Sequence, residues 1–516
     1  HVTPAKAGVQ RLSQIGRKTV DARLRRHDRT ACDSPDNHVT PAKAGVQRLS
    51  KTGRKTVDAR LRRHDRTACD SPDNHVTPAK AGVQCLSNTL RKTLGACRLR
   101  HDASILRGAL YSVKYALAAF LIGSGLLHAP ANAAEWSGYV SGQYRYFFED
   151  PADPRQHNSY LSAAAAPEFY HAWQGGDHSF NTILFYRVDQ YDDNRTHGDI
   201  RELSWTGVFE HFEMTAGISK VFWGVAETQH LVDIINQTDL VENVDGEDKL
   251  GQPMVRLSTV QDWGTVDFFV LPWFRERTFP GPEGRPRPEL VVDTDSDAIY
   301  DFEAGQDHID LAIRYSHYIG EWEFGLSWFS GIDRLPSNFV PNTFTPDGQP
   351  ASVVPVYSLI NQAGIDGQVF FGDWTWKLEA INKEYRSGVR KGSHTFQSVF
   401  GFEYTWVGFT GGASDLGFVV EYHYSDANTR ETIFDNDLAA ALRFVLNDAQ
   451  STEVLAGVLT DAETRTTAGF IEASRRFGQN WVLEAELRTY SGTEENRPLF
   501  SFRFDNFVQL DLAYHF

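Results

Sequence analysis

The stretch Phe507-Val508-Gln509-Leu510-Asp511-Leu512-Ala513-Tyr514-His515-Phe516 decides how the rest of the chain is read. Val508, Leu510, Leu512, Tyr514 and Phe516 recur at the two-residue period of a β-strand, with Gln509, Asp511, Ala513 and His515 between them. One face is oily and aromatic, the other small or polar. The same alternation recurs upstream. Trp322, Phe324, Leu326 and Trp328 oppose Glu321, Glu323, Gly325 and Ser327. Trp374, Trp376, Leu378 and Ala380 oppose Thr375, Lys377, Glu379 and Ile381. Phe396, Phe400, Phe402, Tyr404 and Trp406 share one face against Gln397, Gly401, Glu403 and Thr405, and Trp481, Leu483, Ala485 and Leu487 oppose Glu484, Glu486 and Arg488. A soluble β-sandwich also has apolar inner faces. Here, however, nearly every polar face carries Glu, Lys or Arg, and the chain is long for one sandwich, so lipid outside and water inside fits better.

A terminal aromatic preceded by apolar residues at every second position resembles the last strand of Gram-negative outer-membrane proteins. The resemblance implies that Leu510, Leu512, Tyr514 and Phe516 are recognised by the outer-membrane insertion machinery, and that this strand closes a transmembrane barrel.

The front of the chain is different. H-V-T-P-A-K-A-G-V-Q begins at His1, His38 and His75. These copies are rich in Arg and Lys and poor in large apolar residues, so they cannot offset their own ordering entropy by burial. Residues 1–105 resemble a translated intergenic repeat element and are expected to be absent from the mature protein, with a basic nucleic-acid-binding arm as the alternative. Residues 106–133 have the order of a secretory signal peptide: Arg107 and Lys114, an apolar run from Tyr115 to Leu127, and the small-residue site Ala131-Asn132-Ala133. Cleavage is expected after Ala133, giving residues 134–516 as an outer-membrane barrel. All four cysteines (Cys32, Cys69, Cys85, Cys97) precede that site. The whole chain has 51 Lys+Arg and 67 Asp+Glu; residues 1–133 hold 24 and 9 of these, which leaves a formal charge of −31 on residues 134–516. Nucleic acid is then an improbable partner.

Turn chemistry sets the topology. Short Gly-, Asp- and Asn-rich connections at 174–177, 209–211, 261–262, 319–320, 372–373, 408–414, 447–451 and 478–480 alternate with longer ones at 149–158, 221–251, 275–306, 332–355, 386–392 and 426–436. Short periplasmic turns and long outer loops give an all-β, antiparallel transmembrane barrel of about 18 strands with both termini periplasmic. Segments around Leu161, Leu257 and Leu455 are faint, so 16 strands is the alternative.

The most distinctive connection is 221–251. Val221, Phe222, Trp223, Leu231, Val232, Ile234 and Ile235 make it too apolar for a solvated loop, and the nearest place to bury them is the barrel interior. Trp223-Gly224 followed by Glu227, then Asp233, Ile235, Asn236, Asp239 and Leu240, resembles a W-G-x-x-E/D…D-x-I-N-x-x-D-L element of a poorly characterised group of proteobacterial porin-like outer-membrane proteins. The resemblance implies a loop folded inward to narrow a pore, with Trp223, Glu227, Asp233, Asn236 and Asp239 at the constriction. One consequence would be that Glu227, Asp233 and Asp239 project acid into the lumen and favour cations. The alternative is that Asp233, Asn236 and Asp239 cap turns. Glu202, Glu213, Glu323, Glu379, Glu403, Glu421, Glu484 and Glu486 are expected to line the lumen opposite Arg187, Arg256, Arg314, Lys377, Lys383 and Arg488, an excess of acid that points the same way.

The expected function is passive passage of small hydrophilic solutes. The partners would be those solutes, outer-membrane lipid and lipopolysaccharide; the Pro-rich loop 275–306, with Arg285, Arg287 and its acidic residues, would engage lipopolysaccharide or a solute. Monomer and homo-oligomer both stay open. The competing expectations are a barrel that sheathes a periplasmic partner, or a barrel lipase or protease using His230, His317 or His423. No nucleophile motif surrounds those histidines and no H-E-x-x-H is present, so neither catalysis, cofactor nor metal is expected.

Overall fold

In the computed structural model of the chain, the structure describes residues 134–427, 432–495 and 497–516; the repeats and the signal-like segment lie outside these. Eighteen strands, from Glu135–Phe147 to Phe507–His515, each pair antiparallel with the next in a single sheet. The first strand also pairs with the last, from Tyr139 opposite His515 to Phe147 opposite Phe507, and this closes the barrel. The faint segments are strands: Ser159–Trp173, Gln252–Gln261 and Glu453–Asp461. Eighteen is therefore the number, not 16.

Eight short turns and both described chain ends lie at one end of the barrel, and nine connections lie at the other. Three of the nine, at 190–196, 462–466 and 492–506, are additional to the six that the sequence pattern picks out. Leu510, Leu512, Tyr514 and Phe516 point outward, while Gln509 and Asp511 are buried on the inner side. Trp322, Leu326, Trp328, Trp374, Leu378, Phe400 and Trp481 join the outward apolar band, which has the form of a lipid-facing wall.

Two outer connections do not stay irregular. Asn338–Phe344 and Pro350–Tyr357 form a hairpin, and Val291–Val292 and Ile299–Tyr300 add to it in parallel. Segment 278–287 then runs to the seam where first and last strands meet. There the fully buried Arg285 side chain binds Asp505 at 2.6 Å and lies 4.2 Å from the Phe147 ring centroid, and Arg287 binds Asp153 at 2.6 Å. This corrects one expectation: both guanidiniums are turned into the protein and are not offered to lipopolysaccharide.

Candidate functional site

Residues 220–251 leave the strand Glu213–Ser219 and return in Gln252–Gln261. Their apolar side chains are buried inside the barrel. Trp223, Ala226, Leu231, Val232, Ile234 and Ile235 form one cluster with inward-facing Met254, Phe269, Leu271, Ala312, Phe329, Ile360, Ile381, Tyr385 and Val399. A water-filled lumen has no use for apolar residues on its inner wall; here they are the seat of the loop.

The loop's root is closed by Asn236. Its amide oxygen accepts from the Val221 N–H at 2.8 Å, and its amide nitrogen donates to the carbonyls of Ser219 and Leu250, both at 2.9 Å. One side chain thus satisfies backbone groups of both limbs, which a turn-capping role requires.

The first limb is held by wall carboxylates. The N–H groups of Val225 and Ala226 donate to Glu379 Oε1 at 2.6 and 2.9 Å, and Val232 N–H donates to Oε2 at 3.3 Å. Those of Glu227 and Thr228 donate to Glu421 at 2.7 and 2.9 Å. Gly224 allows this approach: its φ is +122°, and a Cβ there would lie 2.7 Å from Glu379 Oε1. That geometry explains the Gly of the Trp223-Gly224 pair. Thr228 Oγ1 also lies 2.8 Å from His423 Nε2.

Glu227 turns back into the wall. Its carboxylate binds Lys377 Nζ at 2.6 Å and Arg443 Nη2 at 2.7 Å, and Lys377 also binds Glu403. Burial alone would raise the Glu227 pKa, but the two cations hold it well below the ordinary carboxylate range.

The second limb is latched on the opposite side. Asp239 binds Arg201 Nη2 at 2.7 Å, accepts from Thr278 Oγ1 at 2.7 Å and faces His197 at 3.5 Å. Glu242 pairs with Arg187 at 2.8 Å, and Arg195 Nε donates to the Val241 carbonyl at 2.7 Å. Despite burial, both carboxyls are lowered by these cations.

Alternation counted back from inward-facing Glu202 would put Arg201 on the lipid side and Ile200 inside, whereas Ile200 is exposed and Arg201 buried. A β-bulge, where pairing steps from Ile183 opposite Glu202 to Leu184 opposite Ile200, turns both Arg201 and Glu202 inward. No periodicity signal marks it.

Between the latches the loop's far end reaches the opposite wall. Asp245 lies 3.4 Å from Arg488 Nη2, whose guanidinium also binds Glu472 at 2.7 Å and Glu486. Oxygens of Asp245, Glu472 and Glu486 converge within 4.8 Å of one another. Three carboxylates thus meet one arginine where loop and wall approach. Asp245 and Glu472 are 21% and 33% reached by water, Glu486 only 11%, against 7%, 1% and 0% for Glu227, Asp233 and Asp239.

No protein-family model matches the chain, and no curated protein matches it. Among solved structures, a mutant of the Rh. blastica porin is 11% identical, with a TM-score of 0.37 over 74% of this chain and 100% of that one. OprB of Pseudomonas putida, in a high-pH structure, is 8% identical, with a TM-score of 0.38 over 75% of this chain and 94% of that one. A third, described as "Asymmetric conductivity of engineered proteins", is 11% identical with a TM-score of 0.37 over 74% of this chain and 100% of that one.

The acids expected at the constriction are therefore not open to the lumen. Glu227 and Asp239 are ion-paired anchors, Asp233 is buried 3.5 Å from Lys249 Nζ, and Asn236 and Trp223 are bonded or packed into the loop. Charged groups do best buried when paired, and Glu227 and Asp239 follow that rule.

The lining residues divide likewise. Glu379 and Glu421 are fully buried acceptors of loop N–H groups, and Lys377 and Glu403 belong to the Glu227 cluster. Arg314 pairs with Asp366 at 2.6 Å, Lys383 with Asp333 at 2.9 Å, and Arg256 lies 3.2 Å from Asp267 and 3.5 Å from Glu213; Glu323 accepts from Gln368 at 2.6 Å. Glu484, Glu486 and Arg488, on the strand Trp481–Ser491, line the side away from the loop's seat.

Of the candidate histidines, His423 is bonded to the loop and His230 lies inside it. His317 packs with Tyr315 and Phe324 on the outer face.

Proposed function

We propose that the barrel is a passive outer-membrane channel for small hydrophilic solutes, that residues 220–251 narrow it, and that it prefers cations. The observation that carries this reading is the meeting of Asp245 with Glu472, Glu486 and Arg488. Selectivity is thereby assigned to different residues from those the loop motif suggests. Glu227, Asp233 and Asp239 are buried, so the field felt by a passing ion comes from the water-reached acids at the loop's far end and along the facing wall. With Asp245 ionised, three carboxylates face one guanidinium, and with Asp245 protonated Glu472 and Glu486 still outnumber Arg488; the net negative charge draws cations and is weakened as salt screens it. The outer-membrane location rests on the outward apolar band, the alternation of the closing strand and the signal-like segment.

Reversal potential in a planar bilayer under a KCl gradient tests this. The protein should be cation-selective, and the combined changes Asp245→Asn, Glu472→Gln and Glu486→Gln should move the reversal potential toward zero. Channels that are unselective or anion-selective before substitution would overturn the cation preference. Absence of conductance steps would overturn the channel.

A further inference from the structure

We propose that the infolded loop is proton-sensitive, docking more tightly across the lumen in acid and loosening as pH rises toward 8; this rests on the constriction reading above. The geometry is a set of titratable groups placed where the loop's limbs meet each other and where its far end meets the wall. His230 Nε2 lies 3.2 Å from Glu247 Oε1, and Lys249 Nζ lies 3.5 Å from Asp233 Oδ2. These two pairs join limb 230–233 to limb 247–249, the limb that carries Asp245 to Arg488.

The junction is poorly satisfied. Neither oxygen of Asp233 and neither ring nitrogen of His230 receives or makes a hydrogen bond of good geometry, although all four atoms are buried. Buried polar atoms in that condition are rare, and their free energy depends strongly on charge state. Asp233 faces Lys249, His230 and Glu247; His230 faces Glu247, Asp233 and, from the wall, Glu379, with Phe222 edge-on at 4.6 Å. Asp245 faces Arg488, Glu486 and Glu472 from the wall, and Asp248 and Glu247 from its own limb.

The proton affinities share one sign. Burial raises the Asp233 carboxyl. Burial, opposed by Arg488, pushes Asp245 up to about 8 even though a fifth of its side chain is reached by water. Burial works against a charged His230, but Glu247 outweighs it and raises that group too. Each group therefore holds its proton more tightly in the docked loop than it would in an undocked loop facing water, so proton uptake favours docking and proton loss opposes it.

Glu227, Asp239 and Glu242 have the opposite sign, but their lowered carboxyls matter only below the ordinary carboxylate range. Lys220 at the loop's root is lowered by burial and also opposes, toward the alkaline side. The informative window is thus about pH 5.5 to 8.

Single-channel recording of the protein in symmetric KCl across that window tests the proposal. Occupancy of the larger-conductance state should rise with pH, about tenfold for a group whose proton affinity differs by one pH unit between docked and undocked loop. Asp233→Asn imitates the protonated group and should hold the smaller state at pH 8. His230→Gln removes the charged form and should show the larger state even at pH 5.5. Heat-modifiable gel mobility confirms that each variant is a folded barrel, and the unsubstituted protein's own pH curve stands if one is not. A flat or inverted curve, or variants that keep its full slope, would overturn the proposal. Flat but cation-selective steps would leave the channel reading intact, whereas no steps at any pH would remove both.

Discussion

The inner wall from Gln252 to Trp406 and the inner wall from Glu453 to His515 are built on the same alternation, but only the first carries a buried apolar seat among its charged residues. On the first, Phe269, Phe329, Ile360, Ile381 and Val399 point inward, and loop 220–251 covers them. On the second, Glu472, Glu484, Glu486 and Arg488 point inward and stay partly wet. On the proposed channel reading, the contrast locates the charge that a solute would meet. The groups that anchor the seated loop, such as Glu227, Lys377 and Asp239, are paired and buried, whereas Asp245 and Glu472 across from it stay partly reached by water. A carboxylate's presence in the lumen says little; its burial and partners decide its role.

Removing the loop abolishes the contrast between the walls and has the largest expected effect. Deleting residues 228–245 should raise single-channel conductance severalfold and lower selectivity, because it exposes the apolar seat and withdraws Asp245 together. Unchanged currents would mean that the loop does not narrow the path.

A subtler change separates anchor from filter. Glu227→Gln leaves Lys377 and Arg443 with one carboxylate fewer in a dry cluster, and should cost about 3 kcal/mol, as breaking a buried ion pair does. Thermal unfolding in detergent should fall clearly while the reversal potential changes little. If the potential shifts as far as it does for the changes at Asp245, Glu472 and Glu486, the assignment of the two walls is wrong.

Acid provides the smallest effect. The lowered carboxyls of Glu227, Asp239 and Glu242 contribute stability that is fully present above the ordinary carboxylate range and is lost as pH falls toward their lowered values. The anchors' share of thermal stability should therefore hold steady down to about pH 4.5 and decline below it. Glu227→Gln should flatten that decline.

Much of the barrel is legible because strand periodicity is local. Trp374, Trp376 and Leu378 against Lys377 and Glu379 declare two faces within six residues. The same logic hides exceptions. Alternation counted from Glu202 puts Arg201 on the wrong face, because a bulge has no periodic mark. Ile381, Phe329 and Ile360 interrupt an otherwise polar inner face, and that anomaly is the available signal for where the loop sits. Trp223, Val232 and Ile235 supply its complement. Asp245 and Glu472 are over two hundred residues apart, and nothing local announces that they meet.

Barrel class, turn order, the closing strand and the inward fate of an apolar loop are all written in the amino-acid order, since each follows from alternation, turn residues or the cost of exposing hydrocarbon. Which acids are anchors and which face water is settled in three dimensions alone. Ionisation and exposure depend on partners brought together from distant strands, so Glu227 is neutralised by Lys377 and Arg443 while Asp245 reaches the wet wall at Arg488.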